Sequence, residues 1–337
     1  MLLDGRDSAA VQQAAQALAD GALLGLPTET VYGLAADASS DAAVAKIFQA
    51  KGRPSDHPLI VHIAPGAGQA AGVAHFASQV PAFAQKLMDA FWPGPLTLIL
   101  PRRDGVGAAA AGGQDSIGLR CPSHPVAQAV FRAAAALGVA GVAAPSANKF
   151  GRVSPTTAAH VQAEFGDDLL VLDGGACTVG IESAIVDCTR GAPVLLRPGN
   201  ISRTQIEQAC GQPLRSKEEL AAPDPRASGT LEAHYAPSAK VRLMGAKALQ
   251  TALDLLGQAL DGKPASIGIY ARSLLQSRSA QVVYRRMPDD AEAAAQELFA
   301  ALRQFDTQGV RLIWIETPPD GPDWEGVRDR LQRASVA

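Results

Sequence analysis

The stretch Leu26-Pro-Thr-Glu-Thr-Val-Tyr-Gly33, followed by Lys51-Gly-Arg-Pro54 and Pro58-Leu-Ile-Val-His-Ile63, decides how this chain is read. A strand that only filled a core would be apolar or alternating. This one runs Gly25-Leu26 and then breaks into Pro27, Thr28, Glu29 and Thr30. Polar groups at the end of a buried strand are where open α/β sheets carry ligands. Lys51 and Arg53 then place two cations at the end of a predicted helix, an arrangement suited to a phosphate. An isolated Lys-x-Arg is more often a solvated helix C-terminus, where cations favour the dipole. The functional reading therefore rests on the company these residues keep.

Working outward, the 337 residues point to two domains, each long enough to bury a core. A hydrophobic share of 47% with 19% charged residues is globular rather than disordered. Thirty basic against thirty-three acidic residues argue against a general nucleic-acid coat, though not against a local basic cleft. Asp4, Arg6 and Asp7 near the start leave no room for a signal peptide, and no run is apolar enough to span a membrane. Cys121, Cys177, Cys188 and Cys210 are scattered without a Cys-x-x-Cys pair, so the expectation is a reducing cytoplasm with no zinc site or disulfide framework.

Helical and strand patterns alternate through the first two-thirds. The expected helices start at Asp7 or Ser8, at Asp41 as a cap, near Pro81, at Pro125 and near Ser202. Expected strands are Gly21–Leu26, Leu59–Ile63, Leu96–Leu100, Ile117–Cys121, Val139–Ala144, Leu169–Asp173, Ser183–Cys188 and Val194–Arg197. Their non-helical connections predict a mixed, twisted sheet rather than a purely parallel one. From Pro213 to Gly229 the chain is rich in Pro, Ala and charge with no apolar period, which reads as a linker. Strands at Val241–Met244, Ile267–Tyr270, Val282–Arg286 and Leu312–Ile315, with helices near Ala248–Leu260 and Asp290–Phe305, predict a small C-terminal α/β domain. The division expected is residues 1–212, a linker or lid over 213–238, and residues 239–337.

Ser146-Ala-Asn148 follows a predicted strand in a Pro-Ser-Ala-Asn turn, where small hydroxyl and amide groups can hold phosphate or ribose oxygens. Ser and Asn are also ordinary turn residues. Ser154-Pro-Thr156 reads as a helix start with Ser154 as cap, and such a terminus is also an anion site. Arg120 and Arg197 end otherwise apolar strands, so each buried guanidinium needs a partner, either an internal carboxylate or an anionic ligand. His62, between Val61 and Ile63, is by itself more often a hydrogen-bonded core histidine than a ligand. His234-Tyr235 stands just past the linker with no evident packing purpose. The chain has no Gly-x-x-x-x-Gly-Lys-Ser/Thr loop, no Gly-x-Gly-x-x-Gly after a strand and no His-Glu-x-x-His.

Assembled in order, these pieces resemble the YrdC-like threonylcarbamoyl-AMP synthases in their long form with an extra C-terminal domain. The matching residues are Pro27-Thr-Glu-Thr-Val-Tyr-Gly-Leu34, Ala50-Lys-Gly-Arg-Pro54, Pro58-Leu-Ile-Val-His62, Trp92-Pro-Gly-Pro-Leu-Thr97 and Arg120. They continue with Pro145-Ser-Ala-Asn148, Ser154-Pro-Thr156, Gly180-Ile-Glu-Ser183, Leu196-Arg-Pro-Gly199 and His234-Tyr-Ala-Pro237. The resemblance implies a YrdC-like twisted mixed sheet followed by a smaller Rossmann-like α/β domain. It implies a nucleotidyltransferase joining L-threonine, bicarbonate (or CO2) and ATP into threonylcarbamoyl-adenylate and pyrophosphate. That product serves the N6-threonylcarbamoyladenosine modification of tRNA next to the anticodon, through a downstream tRNA threonylcarbamoyl transferase complex. A weak direct contact with tRNA is also implied.

Carried over by motif, Lys51, Arg53, Ser146 and Asn148 hold the nucleotide and the developing charge. Thr30, His62, Arg120, Ala144 and Ser183 hold threonine. His57, Ser116, Ser154, Arg197, His234 and Tyr235 complete the ATP site, with magnesium carried on the phosphates rather than in a protein cage. The chain departs from the family at His57, where Asn is usual, and at Gly229-Thr-Leu-Glu-Ala233, which is less basic than usual. Two rivals remain at this stage: an RNA-binding translation factor, disfavoured by near-neutral charge and few interleaved aromatics, and a carbamoyl-adenylating maturation protein, whose Cys-rich modules this chain lacks.

Overall fold

The computed structural model describes residues 1–219, 227, 229, 234–256 and 266–336. The chain divides into two compact units, Met1–Phe150 with Ser154–Thr230, and Gly151–Val153 with Leu231–Ala337. Part of the stretch expected as linker or lid, including Leu231 and Glu232, lies outside the described residues.

The first unit contains β1 (Leu2–Asp4), α1 (Ser8–Ala19), β2 (Leu24–Leu26), β3 (Gly33–Asp37), α2 (Asp41–Lys51), β4 (Ile60–His62), α3 (Ala67–Phe76) and α4 (Ala82–Phe91). It continues with β5 (Leu96–Pro101), β6 (Ser116–Arg120), α5 (Pro125–Ala136), β7 (Val142–Ala143), α6 (Ala158–Phe165), β8 (Leu170–Asp173), β9 (Ala184–Asp187), β10 (Val194–Arg197), α7 (Arg203–Cys210) and β11 (Arg215–Ser216). The described strands form one sheet in the order β1-β8-β2-β3-β7-β4-β6-β5-β9-β10-β11. Parallel pairs (β4 with β6, β5 with β9) alternate with antiparallel ones (β3 with β7, β5 with β6), so the sheet is mixed, as expected.

Several local expectations shift. Ser40, not Asp41, caps α2, its hydroxyl accepting from the Ala43 N–H, while Asp41 lies in the first turn. Ser154 caps nothing; Thr157 does so for α6, accepting from the His160 N–H. The expected Gly21–Leu26 strand pairs only from Leu24, because the chain turns at Gly21 in a left-handed conformation, φ 73°. Arg215–Ser216, at the start of the expected linker, pairs in parallel with β10.

One face of the sheet is the main core. Strand side chains alternate, and Val61, Leu96, Leu98, Ile117, Leu119, Ala143, Ala184 and Val186 all point to the same buried cluster, with Val44 and Ile47 of α2. Each fully buried Leu or Ile contributes roughly 1.5–3 kcal/mol. The alternate positions must therefore emerge on the other face.

The second unit, described by itself, holds β12 (Lys240–Met244), α8 (Ala246–Leu256), β13 (Ile267–Ala271), β14 (Val282–Arg286), α9 (Ala291–Thr307), β15 (Leu312–Glu316) and α10 (Glu325–Val336). Its described strands form a parallel sheet in the order β12-β15-β13-β14. That is the Rossmann-like pattern expected of the C-terminal region. Asp290 caps α9 by accepting from the Ala293 N–H.

Candidate active site

Strand register collects the site. His62 pairs with Arg120 across β4 and β6 and with Val142 across β4 and β7. Thr97 pairs with Ile185 across β5 and β9, and Arg197 also faces Ile185 after a bulge between Leu195 and Arg197. With a side-chain period of two, Ile60, His62, Ser116, Gly118, Arg120, Thr97, Ser183, Ile185 and Arg197 share the face opposite the main core. Ala144, whose N–H donates to the Ile60 carbonyl, continues that row. An apolar strip of Ile99, Ile185, Val194 and Leu196 borders it, with Ala227 packed alongside. A pocket in this face is lined by Pro58, Ile60, Thr97, Ser116, Gly118 and Ala227 among others.

The cationic end is built by a helix stop. Gly52 takes the left-handed conformation, φ 65°, and ends α2. The chain then turns so that Lys51 and Arg53 are both buried. The Lys51 ammonium donates to the carbonyls of Ser146 and Asn148, and the Phe150 N–H returns a bond to the Lys51 carbonyl. The 146–148 turn is itself held by the Gly33–Ser146 bridge and by Ala147 N–H donating to the Tyr32 carbonyl. Asn148 is buried and donates through Nδ2 to the Lys149 carbonyl at 2.7 Å. Arg53 Nη2 donates to the Pro58 carbonyl at 2.9 Å. Burial, and then the Arg53 charge, hold the Lys51 ammonium well below its usual range. An arriving phosphate would reverse that pressure.

The second cluster centres on Arg120. Its Nη1 donates to Thr30 Oγ1 at 2.8 Å, its Nε to the Gly94 carbonyl at 3.2 Å, and its Nη2 lies 2.6 Å from Glu29 Oε1. The internal carboxylate left open as a partner is therefore Glu29. Thr30 is pinned through Thr28, whose hydroxyl accepts from the Thr30 and Val31 amides. Ser183 shares a hydrogen bond with Thr97 at 2.7 Å, and Arg197 donates twice to the Ser183 carbonyl. Ser154 is buried and donates to Glu182. His57 is half-buried with its ring edge-on to Phe150 at 5.6 Å.

His62 is buried near Phe131, and burial followed by the Arg120 charge pushes it down to about 3. It is neutral at physiological pH. The unfolded chain takes up a proton below about 6.5 that the folded chain refuses until about 3, so His62 costs stability as pH falls through that window and nothing above it. The slope is up to about 1.4 kcal/mol per pH unit. His62→Gln should flatten the acid limb of urea unfolding by that amount; an unchanged limb would show His62 titrating normally.

His234 and Tyr235 lie in the second unit. The Tyr235 ring is buried against Phe299 at 5.5 Å and beneath the Arg330 guanidinium, and its backbone is left-handed, φ 61°, uncommon for a non-glycine. The motifs assign no role to Glu29, Thr97 or Glu182, which lie against Arg120, Ser183 and Ser154; for the two glutamates, a charge beside an apolar strand is the available signal. All four cysteines are free and buried, and burial raises the Cys121 thiol to about 12. Among the described residues no group of three or more His, Cys, Asp or Glu could hold a metal, and no helix is long and apolar enough to cross a membrane.

A family model described as Telomere recombination (Sua5/YciO/YrdC) matches residues 16–199. A second, described as Threonylcarbamoyl-AMP synthase, C-terminal domain, matches residues 201–336. The threonylcarbamoyl-AMP synthase of Pyrococcus abyssi is 37% identical over 96% of this chain and 94% of its own. That of Bacillus subtilis is 35% identical over 96% and 92%. The crystal structure of P. abyssi Sua5 complexed with L-threonine superposes with a TM-score of 0.84 at 35% identity, covering 98% of this chain and 95% of that one.

Proposed function

The chain belongs to the threonylcarbamoyl-AMP synthase family, and on that premise we propose how its residues carry out the reaction. The enzyme forms threonylcarbamoyl-AMP and pyrophosphate from L-threonine, bicarbonate and ATP, for the threonylcarbamoyladenosine modification of tRNA. The observation that carries the residue assignment is the meeting of Lys51, from the end of α2, with the Ser146–Asn148 turn on the same unit as the buried Arg120–Thr30 pair.

Threonine's α-carboxylate would meet the Arg120 guanidinium, which suits a carboxylate bidentately. Thr30, neutral His62, Ala144 and Ser183 would shape the rest of that pocket. The amine, once deprotonated, attacks bicarbonate; water leaves and a carbamate results. A carbamate oxygen then attacks the α-phosphorus in line, and pyrophosphate departs with the bridging oxygen. No protein nucleophile is required, and the buried thiols are raised out of range for one. Positioning and charge neutralisation carry the rate. Lys51, Arg53, Ser146 and Asn148 would cradle the phosphates, with His57, Ser116, Ser154 and Arg197 completing the nucleotide site.

Magnesium would enter on ATP. The donors gathered around Lys51 are cationic, amide or hydroxyl groups, so phosphate oxygens and water would supply most of its ligands, and its role would be to offset phosphate charge. We infer a cytoplasmic enzyme whose labile product passes to a downstream tRNA threonylcarbamoyl transferase complex, with at most a weak tRNA contact of its own. Free, buried cysteines suit a reducing compartment.

Pyrophosphate release should require threonine and bicarbonate together, because ATP alone supplies no carbamate. Following release with each substrate omitted in turn tests this. Rapid release with ATP and water only would sink the synthase assignment.

A further inference from the structure

Glu29 is a buried charge in this site that the reaction above leaves without a task. It is 4% exposed and its backbone is fixed, the Glu29 carbonyl accepting from the Val179 N–H at 2.7 Å. Oε1 lies 2.6 Å from Arg120 Nη2, and among the described residues neither carboxylate oxygen has a geometrically formed hydrogen bond. A buried carboxylate held by one ion pair alone is costly unless that pair serves an end.

Arg120 supplies the end. A guanidinium carries five N–H donors in a rigid fork. Here Nε is taken by the Gly94 carbonyl, Nη1 by Thr30 and Nη2 faces Glu29. Each terminal nitrogen keeps a further N–H for a carboxylate. Without Glu29 the guanidinium would be anchored only by two neutral acceptors, and its charge would be unbalanced in a buried position beside neutral His62. With Glu29 the Arg120 pair is neutral, matching a zwitterionic amino acid.

We propose that Glu29 is a positioning residue for threonine that acts through Arg120, fixing the guanidinium fork by their 2.6 Å buried contact and balancing its charge. This rests on the assignment of Arg120 to the threonine carboxylate.

Glu29→Gln keeps size and an acceptor oxygen while removing the charge. It should lower kcat/KM for threonine about 30-fold, the scale of a charge-assisted contact, and leave the ATP KM within about threefold. Glu29→Asp should recover part of the loss. Added to Arg120→Met, Glu29→Gln should change threonine kcat/KM by less than about twofold, because its route of action is already gone. Should the single Glu29→Gln variant fold poorly, the charge-matched double variant against Arg120→Met carries the same comparison. A threonine kcat/KM within twofold of wild type in Glu29→Gln, or the same loss in both backgrounds, would overturn the proposal. Wild-type enzyme that releases pyrophosphate without threonine would instead overturn the functional reading, independently of any Glu29 variant.

Discussion

Lys51→Met and Arg53→Ala are each expected to slow turnover roughly 100-fold, the loss of one preorganised charge contact where phosphate charge develops. The two should differ in stability. Lys51 is buried at 3% exposure and its ammonium satisfies two carbonyls of the 146–148 turn. Removing it leaves those carbonyls short of a donor, at about 1–3 kcal/mol, and should lower Tm measurably. Arg53 gives up its bond to the Pro58 carbonyl, and its loss should move Tm less. Threonine binding, followed by calorimetry, should be retained in both. Single-turnover pyrophosphate release separates the chemistry from product release. Near-normal turnover in both variants at saturating substrate would reduce the pair to helix-end cations.

Motif chemistry made the candidate site legible in the sequence; packing without a period hid the rest. The strand ends carrying His62, Arg120 and Arg197 stood out because a charged or polar residue closed an apolar run, and register then brought them to one face. What sequence could not give was Glu29 as Arg120's partner, because the two are joined only by the fold, as is the neighbouring Thr30–Arg120 bond at a sequence separation of 90. Helix α3, Ala-Gly-Gln-Ala-Ala-Gly-Val-Ala-His-Phe, escaped because its small residues leave no apolar stripe. Helix α10 escaped for the opposite reason. Its buried face includes the charged residues Arg330 and Arg333, each ion-paired with Asp329. The expected Val139–Ala144 strand shrank to Val142–Ala143, the only residues there that pair with both β3 and β4.

Arg120→Met should be the most damaging single change at the proposed threonine end, in stability and in activity at once. The Arg120 and Glu29 side chains are 4% and 5% exposed, and neither can turn to water for compensation. Breaking such a pair from one side leaves an unpaired buried carboxylate, at about 3–5 kcal/mol. That is a large part of the roughly 5–15 kcal/mol that holds an ordinary domain folded. Thr30 Oγ1 and the Gly94 carbonyl lose their donor in the same step. Activity should suffer for a separate reason, since the α-carboxylate would face methionine's thioether instead of a fork of N–H groups. Threonine kcat/KM should fall more than about 100-fold, while ATP still protects the variant against thermal unfolding as it does wild type. Urea unfolding measures the first effect and substrate-dependent pyrophosphate release the second. An unshifted urea midpoint would mean Glu29 finds another partner once Arg120 is gone, and an unshifted threonine kcat/KM would take the carboxylate clamp away from Arg120 altogether.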